Sequence, residues 1–381
     1  MQELQSSVFK AKVLATVLGL SLVGSFAKAE VTLGAPEWSG DFRFRGESVT
    51  GGRAADILRE RMQARLVSKW AINDTTSFRL GLATGSGDGR STNQTLGSQA
   101  GAFADYTPVF NLAELTYKAN PELTVKMGKM NTPLFTASEL EWDKDLNFDG
   151  IGFQWGSEAK SGWGFGVNGG IFSLNSWENG GSTGAKLYSL QPVVTYSAVD
   201  YNAKLGLRYD RFESVAGRAA MGSSGTVTSG RSNALSGGFY VNNYQPWVLD
   251  ATSTMKNFWG LPVTTWYTTG IINSVAADNL RNQGILLGVR VGSAKVQTMG
   301  DWQVDLNYRN LQSDAVLDIF PESDFVSGWT GVSGTKLSFT YGIASRTSFT
   351  LTGIFAHVLD QATSAAGANE TTVQADLKFD F

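Results

Sequence analysis

The last ten residues constrain the fold more than any other stretch. Val373, Ala375, Leu377, Phe379 and Phe381 alternate with Thr372, Gln374, Asp376, Lys378 and Asp380. Successive side chains of a strand point to opposite faces, so this segment has one apolar and one polar face. Such a strand separates water from an apolar phase.

The same period recurs near the start. Trp38, Phe42 and Phe44 face one way, and Asp41, Arg43, Arg45 and Glu47 the other. Over residues 57 to 71, Leu58, Met62, Ala64, Leu66 and Trp70 oppose Arg59, Arg61, Gln63, Arg65 and Lys69, with Glu60 breaking the apolar face near the expected rim. Partial or full alternation predicts strands near 75 to 84, 110 to 119, 123 to 132, 150 to 158, 162 to 174, 185 to 197 and 201 to 212. The stretch 235 to 257 is ambiguous. Leu261, Val263, Tyr267 and Ile271 mark an eleventh strand, and strands near 283 to 293, 301 to 311, 333 to 342 and 347 to 358 precede the last. The expected count is sixteen, or fourteen or eighteen if 235 to 257 divides differently.

Only alternate residues of a membrane barrel need be apolar, so a mean hydropathy of −0.11 is no objection. Lys10 and Lys12 precede an apolar run from Val13 to Phe26, too short for a comfortable span, and Ala27-Lys28-Ala29 supplies a small-x-small cleavage pattern. Residues 1–29 are therefore expected to be a signal peptide cut before Glu30, and residues 30–381 one barrel domain. That chain would carry 28 basic and 33 acidic residues, a net charge of −5, which argues against nucleic acid as a partner. There is no cysteine, so disulfides and thiolate metal sites are excluded. No cofactor is expected.

Connections alternate between short turns, such as Ile72-Asn73-Asp74-Thr75 and Asn120-Pro121-Glu122, and long segments, such as 85 to 109 and 213 to 234. Short turns belong to the periplasm and long loops to the outside. The fold class is all-β, a transmembrane antiparallel β-barrel.

Arg43, Arg45, Arg59, Arg61, Arg65, Lys69 and Arg79 fall on the water-facing side of three consecutive strands. Each would cost about 2–4 kcal/mol facing lipid near the midplane, so their shared parity supports the barrel. After the fifth strand, residues 133 to 149 hold Glu139, Glu141, Asp143, Asp145 and Asp149 against a single Lys144. Solubility alone also makes loops acidic, and arginines also merely solvate a large lumen or meet lipopolysaccharide at the rim.

Ending on Phe381, the last strand resembles the signal by which barrel-assembly machinery recognises outer-membrane proteins. The sequence as a whole resembles the sixteen-stranded general bacterial porins, and Leu58-Arg59-Glu60-Arg61-Met62 and Gly128-Lys129-Met130 are similar to stretches of the broad putative-porin family of Gram-negative bacteria. The resemblance implies passive diffusion of small hydrophilic solutes and ions through an outer-membrane channel, a homotrimer, and contact with outer-membrane lipid and lipopolysaccharide. It also implies a third loop folded into the lumen, with Glu139, Glu141, Asp143 and Asp145 facing the arginines named above as a basic wall. The loop lacks a Pro-Glu-Phe-Gly-like motif, which leaves open that it covers the mouth instead.

His357, the only histidine, shares the parity of Phe349, Leu351 and Phe355, and no serine stands at position 359 to act as a nucleophile, so an enzyme is not expected. Gly85-Ser86-Gly87-Asp88-Gly89 lacks the ligand spacing of a calcium loop and the Lys-Ser/Thr ending of a phosphate loop. Trp38, Trp70, Trp163 and Tyr209 fit an aromatic belt at the headgroups. The net acidity favours cations and the arginine row favours anions, so ion preference stays open, as does the choice between a general and a solute-specific channel. The competing class is a surface-binding platform built on the long loops.

Overall fold

The computed structural model describes residues 34–51, 56–85, 87–98, 102–156, 161–174, 184–213, 215–220, 232–276, 281–359 and 367–381. The expected signal peptide, residues 1–29, lies outside them, as does most of the glycine- and serine-rich stretch 217 to 232.

Sixteen strands make one closed antiparallel sheet: Glu37–Gly51 (β1), Ile57–Ala71 (β2), Thr76–Ala83 (β3), Val109–Lys118 (β4), Leu123–Asn131 (β5), Asn147–Gly156 (β6), Gly162–Ser173 (β7), Lys186–Ser197 (β8), Tyr201–Glu213 (β9), Pro246–Phe258 (β10), Leu261–Asn273 (β11), Gln283–Gly292 (β12), Trp302–Leu311 (β13), Val332–Ala344 (β14), Thr347–Val358 (β15) and Asn369–Asp380 (β16). Each pairs with the next in sequence, and a two-residue strand, Gln94–Thr95, extends the sheet beside β2. The ambiguous stretch 235 to 257 resolves into β10, preceded by a short ladder between Leu235–Ser236 and Phe239–Tyr240.

The first strand meets the last. Phe42 lies opposite Phe379 and Arg43 opposite Lys378, and the seam is finished by two backbone bonds, Gly40 N–H to Phe381 O and Phe381 N–H to Gly40 O, both 3.0 Å. With no open edge, every strand can satisfy its backbone groups where no water is available. The turns 72–75, 119–122, 198–200, 259–260 and 345–346 all fall at one end, and the long connections 84–108, 132–146 and 312–331 at the other.

Alternation sorts the two faces. On β14, Leu337, Phe339 and Tyr341 are exposed on the outside, while Lys336, Ser338 and Thr340 line the inside. Aromatic pairs mark both ends of the outer face. Trp70 stacks on Phe78 at 5.9 Å and Trp163 meets Tyr196 at 5.0 Å near the short turns, and Tyr209 meets Trp247 at 4.9 Å near the long loops. Glu60 is exposed near the long-loop end of β2, as expected of a rim residue.

The eleventh strand lies where its apolar residues predict it, with Tyr267 and Ile271 buried inside and Trp266 and Ile272 exposed on the outer face. Apolar side chains face inward here because the lumen is not wholly aqueous. Tyr267 and Ile271 pack with Leu140 from connection 132–146 and Val316 from connection 312–331.

Candidate pore lining

Connection 132–146 leaves β5 and runs along the inner wall. The Phe135 N–H donates to Gln191 Oε1 on β8 and the Gln191 amide donates back to Phe135 O, both at 2.7 Å. Ala137 N–H then reaches Asp250 Oδ1 on β10 at 2.9 Å, and Ser138 Oγ reaches Thr269 Oγ1 on β11 at 2.7 Å. Glu141 receives a hydrogen bond from Arg208 on β9. On the return, Asp145 accepts from Arg65 on β2 at 3.0 Å. The segment thus lies within the barrel, tied to strands on both sides, and does not merely cover the mouth.

A second connection folds in beside it. Asp143 N–H donates to Phe320 O at 2.8 Å, and Ser323 N–H donates to Asp143 Oδ2 at 2.7 Å. Trp142 packs 4.6 Å from the Phe320 ring and 4.8 Å from that of Phe148. Part of the first long connection also enters: Arg90 is buried and donates to the carbonyls of Asp318 and Gly328. Apolar clusters centred on Trp142 and on Leu140 result inside the barrel.

The basic row is on the inner face but is not one patch. Arg45 grips Asp376 with two bonds, 2.6 and 2.9 Å, and Asp324 at 2.8 Å. Arg65 takes Asp41 at 2.7 and 3.2 Å. Arg61 lies 3.6 Å from Glu47 and 3.9 Å from Asp324, and Arg59 binds Glu47 at 2.6 Å. Arg43 donates to the neutral Asn93 at 2.6 Å and lies 3.9 Å from Asp376. Lys69 pairs with Glu37 at 3.0 Å among exposed residues by the short turns, and Arg79 binds Asn131 at 2.7 Å and Glu114 at 3.4 Å.

Of the four loop carboxylates, only Asp145 meets that row. Glu139 pairs with Lys144 at 3.4 Å and Lys336 at 3.6 Å. Glu141 belongs to Arg208, which also holds Asp210 at 2.8 Å and Asp250 at 3.2 Å. Asp143 binds backbone amides. Burial, and then the negative charge of Glu139, push its carboxyl up to about 7 against the two amides, from Asp145 and Ser323, that favour the ionised form.

A cavity of about 670 Å³ remains in the lumen, bordered by Arg43, Arg65, Glu139, Arg290, Asp305 and Lys336 among others. A larger concavity, about 1060 Å³, lies among Trp163, Leu205, Ala251 and Trp266 on the apolar face, where lipid rather than solute meets the wall.

A family model described as Putative porin matches residues 37–239 and 262–379. The chain belongs to that porin family. It is accordingly an outer-membrane channel of Gram-negative type that passes solutes by passive diffusion, and it stands among channels rather than enzymes. No curated protein matches the sequence. Among solved structures, this porin is similar to OprB of Pseudomonas putida, at 11% identity over 91% of this chain and 94% of that one, with a TM-score of 0.60. It is also similar to OmpF of Salmonella typhi, solved with daunomycin, at 11% identity over 91% and 98% with a TM-score of 0.52. OmpT of Vibrio cholerae, in a trimer form, matches at 12% identity over 91% and 100% with a TM-score of 0.50.

Sequence reasoning missed several charged residues inside the barrel of this porin. Arg208 could have been found from Leu205, Leu207 and Tyr209, which fix its inward parity on β9. Glu322 and Asp324 lie in a stretch, 312–331, whose Asp314, Asp318, Glu322 and Asp324 make it as acidic as the loop that was singled out. Glu322 binds Arg309 at 2.5 Å and also Lys336.

Proposed function

We propose that small hydrophilic solutes and ions pass through the charged cavity between the wall and the two in-folded connections, with no chemical step. The observation that carries this reading is the lining itself: many charged and hydroxyl side chains, beside a few apolar ones such as Leu146 and Leu286, border the cavity while the outer face is apolar. Arg43, Arg45, Arg59, Arg61, Arg65, Lys69 and Arg79 act as the basic wall, with the first five shaping the field beside the cavity. Glu139, Glu141, Asp143 and Asp145 act as the constriction loop, Glu141 and Asp145 by anchoring it and Glu139 by facing the solute.

In this reading the protein is made as a precursor cleaved before Glu30, is assembled through the β16 signal ending in Phe381, and works as a homotrimer surrounded by outer-membrane lipid and lipopolysaccharide. The trimer is supported by the OmpT neighbour, described in a trimer form. One observation favours a surface-binding platform instead, the apolar filling of part of the lumen around Trp142 and Leu140. Planar-bilayer recording of purified folded protein separates the two. Stable open steps support the diffusion channel, and a silent bilayer would select the platform.

A further inference from the structure

We infer that the lumen favours small anions over cations, with Lys144 and Arg290 as the residues that set the preference; this rests on the channel reading above. Among the described residues bordering the cavity, the cations are Arg43, Arg45, Arg65, Lys144, Arg290, Arg309, Lys336 and Lys378, and the acids are Glu139, Asp143, Asp305, Asp324 and Asp376. The border carries more positive than negative groups even though the whole chain is net acidic.

Placement strengthens the imbalance. The side chains of Lys144 and Arg290 are 54% and 46% exposed. Their carboxylate partners stand further back: Glu139 is 25% exposed and Asp305 19%. Asp376 and Asp324 are more recessed still, and Arg45 takes up both oxygens of Asp376 and Oδ2 of Asp324. At the Lys144 and Arg290 pairs an ion crossing the cavity therefore meets the ammonium and guanidinium heads first, with Glu139 and Asp305 behind them. Within low-dielectric walls such an excess raises the local concentration of anions and excludes cations.

Much of the chain's acidity is elsewhere. Glu141, Asp210 and Asp250 surround the single Arg208 in a cluster sealed from water, and none of the three borders the cavity. The ligand class is therefore small inorganic and carboxylate anions, held by exposed heads rather than in a closed pocket.

The test is the reversal potential of the full-length purified channel in a potassium chloride gradient at low salt, where screening is weakest. Wild type is expected to prefer chloride. Lys144→Gln/Arg290→Gln should lower the chloride-to-potassium permeability ratio about fourfold, roughly twofold for each charge in a water-like dielectric. Arg211→Gln, which removes an exposed cation that does not border the cavity, should leave the ratio unchanged. Potassium preference in the wild type overturns the inference while leaving the channel intact, as does an equal change in Arg211→Gln. A bilayer that stays silent despite folded protein overturns the channel reading and the inference with it. If the double variant fails to fold, the sign of the wild-type potential decides.

Discussion

Arg208 on β9 donates through Nη2 to Glu141 of the in-folded connection, and both side chains are almost fully sealed from water. The same guanidinium binds Asp210 and Asp250. Among the described residues no other cation is paired with Glu141, Asp210 or Asp250, so this one guanidinium holds the three buried carboxylates together. Removing one partner of such a pair costs about 3–5 kcal/mol because a charge is left uncompensated. Arg208→Ala should lower the stability of folded protein in detergent by that order, read as a shifted urea midpoint. It should also loosen connection 132–146 and raise or destabilise the single-channel conductance. An unchanged conductance trace would count against this tether.

Barrel closure depends on a glycine. A Cβ built on Gly40 would lie 2.6 Å from the Phe381 ring and closer still to Arg65 O, where real Cβ atoms essentially never sit. Gly40→Val should therefore disturb the β1–β16 seam. Refolding yield, measured as the heat-modifiable band on electrophoresis, should fall severalfold, and deletion of Phe381 should lower membrane assembly more than it lowers refolding in detergent.

Asp143 supplies the pH dependence. Its carboxyl is pushed from 3.8 up to about 7, so the folded chain holds that proton more tightly than the unfolded chain does. The sign follows: this group makes the fold more stable as pH falls from about 7 toward 4, and the advantage is lost as pH rises through 7. Protonation also removes one negative charge from the cavity border. The reversal potential should move toward anion preference as pH drops through about 7, and Asp143→Asn should abolish that step.

Trp142 anchors the in-folded connection through apolar packing. Its ring meets Phe148, Phe320 and Phe212. Truncating a buried aromatic costs about 3–5 kcal/mol. Trp142→Ala should leave the sixteen-strand wall intact by circular dichroism while making connection 132–146 newly sensitive to protease. Retained protease resistance would mean that the polar ties alone hold it.

The sequence by itself determined the wall. Alternation is a local property, set by the pleat, so Phe42, Arg43, Phe44 and Arg45 declare their faces without knowledge of their neighbours. The same logic found sixteen strands and put every member of the basic row inside. At Tyr267 and Ile271 the inward residues are apolar, because in-folded connections cover them. Tertiary structure alone decided the partners. Glu141 and Arg208 are 67 residues apart, and Asp324 reaches Arg45 across 279. No periodicity links such positions, because a loop's path inside a barrel is chosen by which buried charges and rings it must satisfy together.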